Sequence, residues 1–149
     1  MQLVQIAGCL GADAKKRTTK LGTCVANLKV AVHIFKKPKL NKYKKVTIWW
    51  EVSVWSDRWG DRFDKMMDYL KKGSLIIAIG DMREPETYKP KHGGVDIFLS
   101  LAANELRVSP SKAMQAEGVK DEYIDFSSTL NPPFKKIERK LTLAGATSA

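Results

Sequence analysis

Two segments of this chain alternate apolar and polar side chains with a period of two, and the run that joins them is dominated by lysine. In residues 23–35 the even positions Cys24, Ala26, Leu28, Val30, Val32 and Ile34 are all apolar, while Asn27, Lys29, His33 and Phe35 fall on odd ones. Residues 46–55 repeat the pattern, with Val46, Ile48, Trp50, Val52 and Val54 in one set and Thr47, Trp49, Glu51, Ser53 and Trp55 in the other. Successive side chains of a strand point to opposite faces, so each segment reads as a strand with a dry face and a wet one. The joining run, KKPKLNKYKK over residues 36–45, holds Pro38 and Asn41 and reads as a basic hairpin loop. Two such strands joined this way favour an antiparallel sheet that packs on one face and meets water on the other.

The remaining punctuation extends the sheet. A first strand is expected over Gln2–Leu10, followed by a short irregular basic stretch, Lys15–Lys20, and a turn at Gly22. After the third strand, Trp59, Phe63, Met66, Met67 and Leu70 fall on one stripe of a 3.6-residue period. They predict one helix over Arg58–Lys72, with Asp57 as its N-cap and Gly73 as its C′ residue. A fourth strand is expected over Ser74–Arg83, a polar loop over residues 84–94, and a fifth strand over Val95–Val108. Ser109-Pro110-Ser111 ends the periodic region. The chain therefore reads as a folded domain over 1–108 and a flexible C-terminal tail over 109–149. Five strands with one helix between the third and fourth is the all-β layout of an OB-fold barrel, which binds oligonucleotides on strands 2 and 3 and their neighbouring loops.

The wet face of the middle hairpin carries the functional signal. Core burial does not explain Trp49 and Trp55, because the opposite face of the same strand supplies the core. Exposed indole is costly unless something covers it, and nucleobases offer flat π-faces for the purpose. Packing against a partner subunit is the rival explanation. The charge favours a polyanion: residues 14–50 hold eleven Lys or Arg and no Asp or Glu, within a net charge of +10. Expected DNA contacts are stacking on Trp49, Trp55, Phe35 and Tyr88. Lys29, Lys36, Lys37, Lys44, Arg83 and Lys89 would meet phosphates, and Tyr43 would either stack or anchor its loop.

Other chemistry lacks its residues. Glu51 is the one carboxylate on the proposed face, and neither a phosphate-binding glycine loop nor a G-x-S-x-G nucleophile motif occurs. Cys9, Cys24, His33 and His92 do not have zinc-site spacing, and two thiols make no disulfide framework. The expectation is a binding protein rather than an enzyme, with no metal and no cofactor. No apolar run approaches the roughly 20 residues of a membrane span, and the first residues do not read as a secretory signal. A cytoplasmic, nucleoid-associated protein is expected.

Several short motifs resemble the bacterial single-stranded DNA-binding protein family over about residues 2–108. They are Gly8-Cys9-Leu10-Gly11, Gly22-Thr23-Cys24-Val25-Ala26-Asn27, Thr47 with Trp49, Tyr69-Leu70-Lys71-Lys72-Gly73-Ser74, and Gly80 followed by Arg83. The resemblance implies a homotetramer of OB-folds that wraps single strands in replication, recombination and repair. It also implies stacking roles for Trp49 and Trp55, with Phe35 and Tyr88 each within one residue of a further stacking position. Asp121, Glu122, Asp125 and Phe126, then Pro132-Pro133-Phe134, are similar to the acidic tail through which the family recruits replication and repair proteins. Three alternatives stay open: a primosomal-type OB-fold accessory, expected to be a dimer; an RNA-binding OB protein; and an oligomeric interaction scaffold with its tryptophans buried between subunits.

Overall fold

A computed structural model describes residues 2–36, 43–118 and 120, and the backbone of 124–127. Lys37, Pro38 and Asn41 of the basic loop lie outside the described residues, as do Asp121, Glu122 and residues 128–149 of the tail.

The five strands read from the sequence close a barrel. They are β1 (Val4–Leu10), β3 (Cys24–Lys36), β4 (Lys44–Trp55), β5 (Leu75–Met82) and β7 (Asp96–Ser109). Their order is β1-β5-β7-β4-β3, and β1 returns to β3 through Cys9↔Ala31 and Leu10↔Val30. Pairing is antiparallel except for β4 with β7, which run parallel through Trp50↔Leu99 to Ser53↔Ala102. The even positions of β3 and β4 face inward as expected. Ala26, Leu28, Val30, Val52 and Val54 join Ile6, Ile76, Leu101, Leu106 and Val108 in one buried cluster.

Three short strands were not read from the sequence. The basic stretch after β1 is strand β2 (Lys15–Thr18), which pairs with β3 through Lys15↔Asn27 to Thr18↔Cys24. It continues the line of β1 along the same edge of β3. The polar loop contains β6 (Glu86–Tyr88), paired with the start of β7 through Glu86↔Phe98 and Tyr88↔Asp96. Beyond residue 108, Ser111 caps a short helix (Lys112–Ala116), and β8 (Ile124–Ser127) pairs with β7 from Glu105 to Val108. The sheet thus reaches past the boundary drawn at 108. Each added strand uses backbone hydrogen bonds that an edge would otherwise leave to water. None is long enough to stand out as a strand in sequence, and Lys15–Thr18 also lacks apolar alternation.

The single helix expected over Arg58–Lys72 is two helices, α1 (Ser56–Trp59) and α2 (Arg62–Tyr69). Gly60 separates them at φ +53°, donating its N–H to the Ser56 carbonyl. A left-handed residue cannot continue a right-handed helix, and glycine accepts that conformation without steric cost. Asp57 lies in the first turn of α1 and is not its cap, because the preceding extended residue is Trp55. Gly73 lies beyond the end of α2 in the turn to β5, where its N–H meets the Leu10 carbonyl at 2.8 Å. The apolar stripe survives the break. Trp59, Phe63, Met66 and Leu70 are all buried in the barrel core, and Met67 is half-buried against it.

Since Trp59 is 1% exposed and Phe35 is 69% exposed, their truncations should separate sharply. Trp59→Ala should lower unfolding free energy by about 3–5 kcal/mol. Phe35→Ala should change it by no more than about 0.5 kcal/mol. Urea denaturation measures both, and equal losses would contradict this division between core and outer face.

Candidate nucleic-acid interface

The outer face of the barrel is organised as rows of side chains across β2, β3 and β4. Register puts Val25 opposite Trp55, Asn27 opposite Ser53, Lys29 opposite Glu51, Ala31 opposite Trp49, His33 opposite Thr47 and Phe35 opposite Lys45. On the other side of β3, Lys15 lies opposite Asn27 and Arg17 opposite Val25. Directly opposed residues share a face, so Lys15, Arg17, Lys29 and Lys45 belong to the same surface as both tryptophans. His33 Nδ1 and Thr47 Oγ1 are 3.0 Å apart and fasten the row between Trp49 and Phe35.

Trp49 is 56% exposed, and its position is set by a glycine. A β-carbon built on Gly11 would fall 2.6 Å from Cζ3 and 2.8 Å from Cη2 of the indole, closer than any side chain permits. The ring therefore lies on bare backbone where β1 ends, and the Gly11 N–H is held by the Lys29 carbonyl at 2.9 Å. One side of the ring is seated on this surface, and much of the rest is open to solvent. Beside it runs an open groove of about 430 Å³ lined by Lys29, Trp49, Trp50, Glu51, Tyr88, Ile97 and Phe98. Three aromatic residues of the outer face, Trp49, Tyr88 and Phe98, thus share one trough with Lys29, and Trp50, whose side chain alternates to the inner face, borders it. A shallower depression of about 180 Å³ adjoins it, lined by Lys15, Arg17, Asn27 and Lys29 with Ala12, Asp13 and Glu51.

The residues expected from sequence divide into groups. Lys29, Trp49 and Tyr88 meet in the groove. Trp55 is half-buried at the far end of β4, opposite the buried Val25. Six residues of strand separate it from Trp49, roughly 20 Å, so the two indoles are separate stations along the face. Phe35 is exposed at the outer end of β3, and Tyr43 is exposed just before β4. Lys36 and Lys44 pair with each other on the opposite face of the hairpin from Trp49. Lys45 is the one that shares the face of Trp49. Arg83 and Lys89 are exposed just after β5 and β6. Lys37 lies outside the described residues.

Sequence reasoning missed Ile97 and Phe98 as groove residues, because the three-residue β6, which pairs with them, carries no strand signal. Lys15 and Arg17 were anticipated only as members of a diffuse basic run. Their alternation with Lys16 was the available signal. Lys16 turns to the other face, where Nζ lies 2.7 Å from Asp64 Oδ1 and 5.5 Å from the centre of the Phe63 ring. The Asp64 hydrogen bond holds the Lys16 pKa above its usual 10.5. Among the described residues no group of three or more His, Cys, Asp or Glu is placed to hold a metal ion, and no helix is long and apolar enough to cross a membrane.

Residues 1–109 match the single-strand binding protein family. The single-stranded DNA-binding protein of Chlamydia pneumoniae is 36% identical over 110 residues, which are 74% of this chain and 62% of that protein. Its counterpart from Chlamydia caviae is 34% identical over the same shares. The chain thus spans less than two thirds of the length of these relatives. Among solved structures, a Plasmodium falciparum SSB complexed with single-stranded DNA superposes with a TM-score of 0.51 at 17% identity, over 69% of this chain and 86% of that one. That likeness establishes the shared barrel.

Trp49 is the exposed member of a set in which Trp50 and Trp55 are half-buried and Trp59 is buried. Trp49→Phe should therefore move the fluorescence maximum to shorter wavelength and reduce quenching by acrylamide. An unchanged spectrum and unchanged quenching would mean that Trp49 is covered in solution.

Proposed function

The chain belongs to the single-strand binding protein family, and from that membership and its outer hairpin face we propose that it binds single-stranded DNA by base stacking and phosphate contacts. The observation that carries this reading is the groove in which Trp49, Tyr88 and Phe98 meet Lys29. A base stacked on an aromatic side chain contributes about 1–3 kcal/mol whatever its identity. Trp49 is the main stacking residue, with Tyr88 and Phe98 forming the opposite wall. Phe35 and Trp55 serve as outlying stations on either side. Lys15, Arg17, Lys29 and Lys45 follow the phosphates across the same face, and Lys36, Lys44, Arg83 and Lys89 line its approaches. On this reading the protein is a binding protein without catalysis that covers single strands in replication, recombination and repair.

Self-association is part of the proposal, with a homotetramer as the expected state. Two features support it. Among the described residues, Val4–Gly8 of β1 pair with β5 on one side only, leaving their other edge open. From the rim of the core outward, Val32, Ile34, Val46, Ile48 and Trp50 line up on the inward face of the hairpin, and each remains half-buried. Recruitment of replication or repair proteins falls to the tail, on the strength of the acidic residues Asp121, Glu122 and Asp125.

Titration with oligo-dT should quench tryptophan fluorescence, and affinity should fall steeply as salt rises, because each phosphate contact releases counterions. Trp49→Ala should cost about 1–3 kcal/mol of binding, and Trp55→Ala less, since its ring is more covered. Arg17→Ala should weaken binding to all sequences and make the salt dependence shallower. Failure of oligo-dT to quench at low salt, or full affinity in Trp49→Ala, would refute this function. Light scattering should give the mass of a tetramer, and a dimer would favour an accessory role instead.

A further inference from the structure

Glu51 is a carboxylate on a face whose other charged strand residues are Lys15, Arg17, Lys29 and Lys45. It sits mid-strand in β4, directly opposite Lys29 on β3 and beside Ser100 on β7. It lines both the aromatic groove and the cationic depression next to it. The other carboxylate there, Asp13, is already committed, since Oδ1 accepts the Lys72 backbone N–H at 2.7 Å. Glu51 has no such commitment: among the described residues its carboxylate accepts no hydrogen bond and closes no ion pair, even with Lys29 across the strand.

A carboxylate accepts hydrogen bonds and donates none. It repels phosphate, so a strand lying along this face turns a base edge toward Glu51 and its backbone toward Lys15, Arg17 and Lys29. The four bases differ in what they offer it. Guanine presents two adjacent donors, N1–H and the N2 amino group, which match the two oxygens of a carboxylate in a bidentate pair. Cytosine and adenine each offer an amino group beside a ring nitrogen that accepts. Thymine offers one N–H between two carbonyl oxygens, both of which repel the carboxylate.

We propose that Glu51 makes the nucleotide seated beside Trp49 base-selective, favouring guanine and disfavouring thymine, within binding that is otherwise tolerant of sequence. This rests on the assignment of the groove to single-stranded DNA. Stacking on Trp49 supplies affinity for any base, and Glu51 reads the edge of the base so held.

The test uses the full chain and labelled strands of one length, followed by fluorescence anisotropy. One strand is all dT. A second has dG at every fourth position, which avoids guanine runs, and a third has deoxyinosine at those positions, which removes the N2 amino group alone. The wild type is compared with Glu51→Gln, a replacement of equal shape that both donates and accepts. Differences in the stacking of the free strands are common to both proteins and cancel. The affinity ratio of the dG strand to the dT strand should be at least about fivefold larger for the wild type than for Glu51→Gln, the low end for a bidentate base contact. The wild type should also bind the deoxyinosine strand more weakly than the dG strand, a comparison that needs no variant. Equal ratios in the two proteins, or equal binding of the dG and deoxyinosine strands, would overturn the assignment. If Glu51→Gln tightens binding to every strand by the same factor, Glu51 acts by charge alone and the selectivity is refuted. Failure of the wild type to bind any strand would instead remove the single-stranded DNA reading beneath it.

Discussion

The register of β3 against β4 is the constraint on which the rest depends. Twelve consecutive pairs, from Val25↔Trp55 to Lys36↔Lys44, tie the two strands together. Because side chains alternate, a slip of one residue would carry every core valine to solvent and both outer indoles into the barrel. Burial of Leu28, Val30, Val52 and Val54 therefore fixes the location of Trp49. Those side chains are fully enclosed, and each loses about 1.5–3 kcal/mol of burial energy if exposed. The interface is held by the core on the other side of the same two strands.

That coupling explains how the barrel presents exposed aromatic side chains on its outer face. Trp49 needs no lid or partner to hold it, since its ring rests on the Gly11 backbone and its own strand is hydrogen-bonded on both edges near that point. The hairpin loses burial toward its tip, and the β6–β7 pair does likewise beside it. Between them lies the aromatic groove. Stacking surfaces thus come from strands fixed by the core, while many of the cations come from the less buried ends of those strands and from the edge strand β2. On the proposed reading, salt should weaken the contribution of these cations with little effect on stacking.

Much of the barrel was legible because its five strands and apolar helical stripe follow simple periods. The parts that were not legible have physical reasons. Lys15–Thr18 carries no apolar alternation, because β2 lies on the edge of the sheet with all four residues exposed. Glu86–Tyr88 is too short to register, and so the contributions of Ile97 and Phe98 were lost with it. The helix break at Gly60 leaves the 3.6-residue stripe intact, so periodicity alone could not reveal it. The lysines show the limit most plainly. Composition marks Lys36, Lys44 and Lys45 alike, yet pairing sends Lys45 to the face of Trp49 and the other two to its reverse. Alternation alone puts Trp55 on the face of Trp49, but does not show the distance along the strand that keeps the two indoles apart.

The central claim, that the outer face of β3 and β4 is where single-stranded DNA lies, is tested most directly by photocrosslinking. A dT strand carrying 5-iododeoxyuridine at scattered positions would be irradiated in complex with the full chain, and the attached residues identified by mass spectrometry. The account predicts attachment at Trp49 and at Tyr88 or Phe98. Attachment confined to α2 or β5, with the groove aromatics untouched, would contradict it.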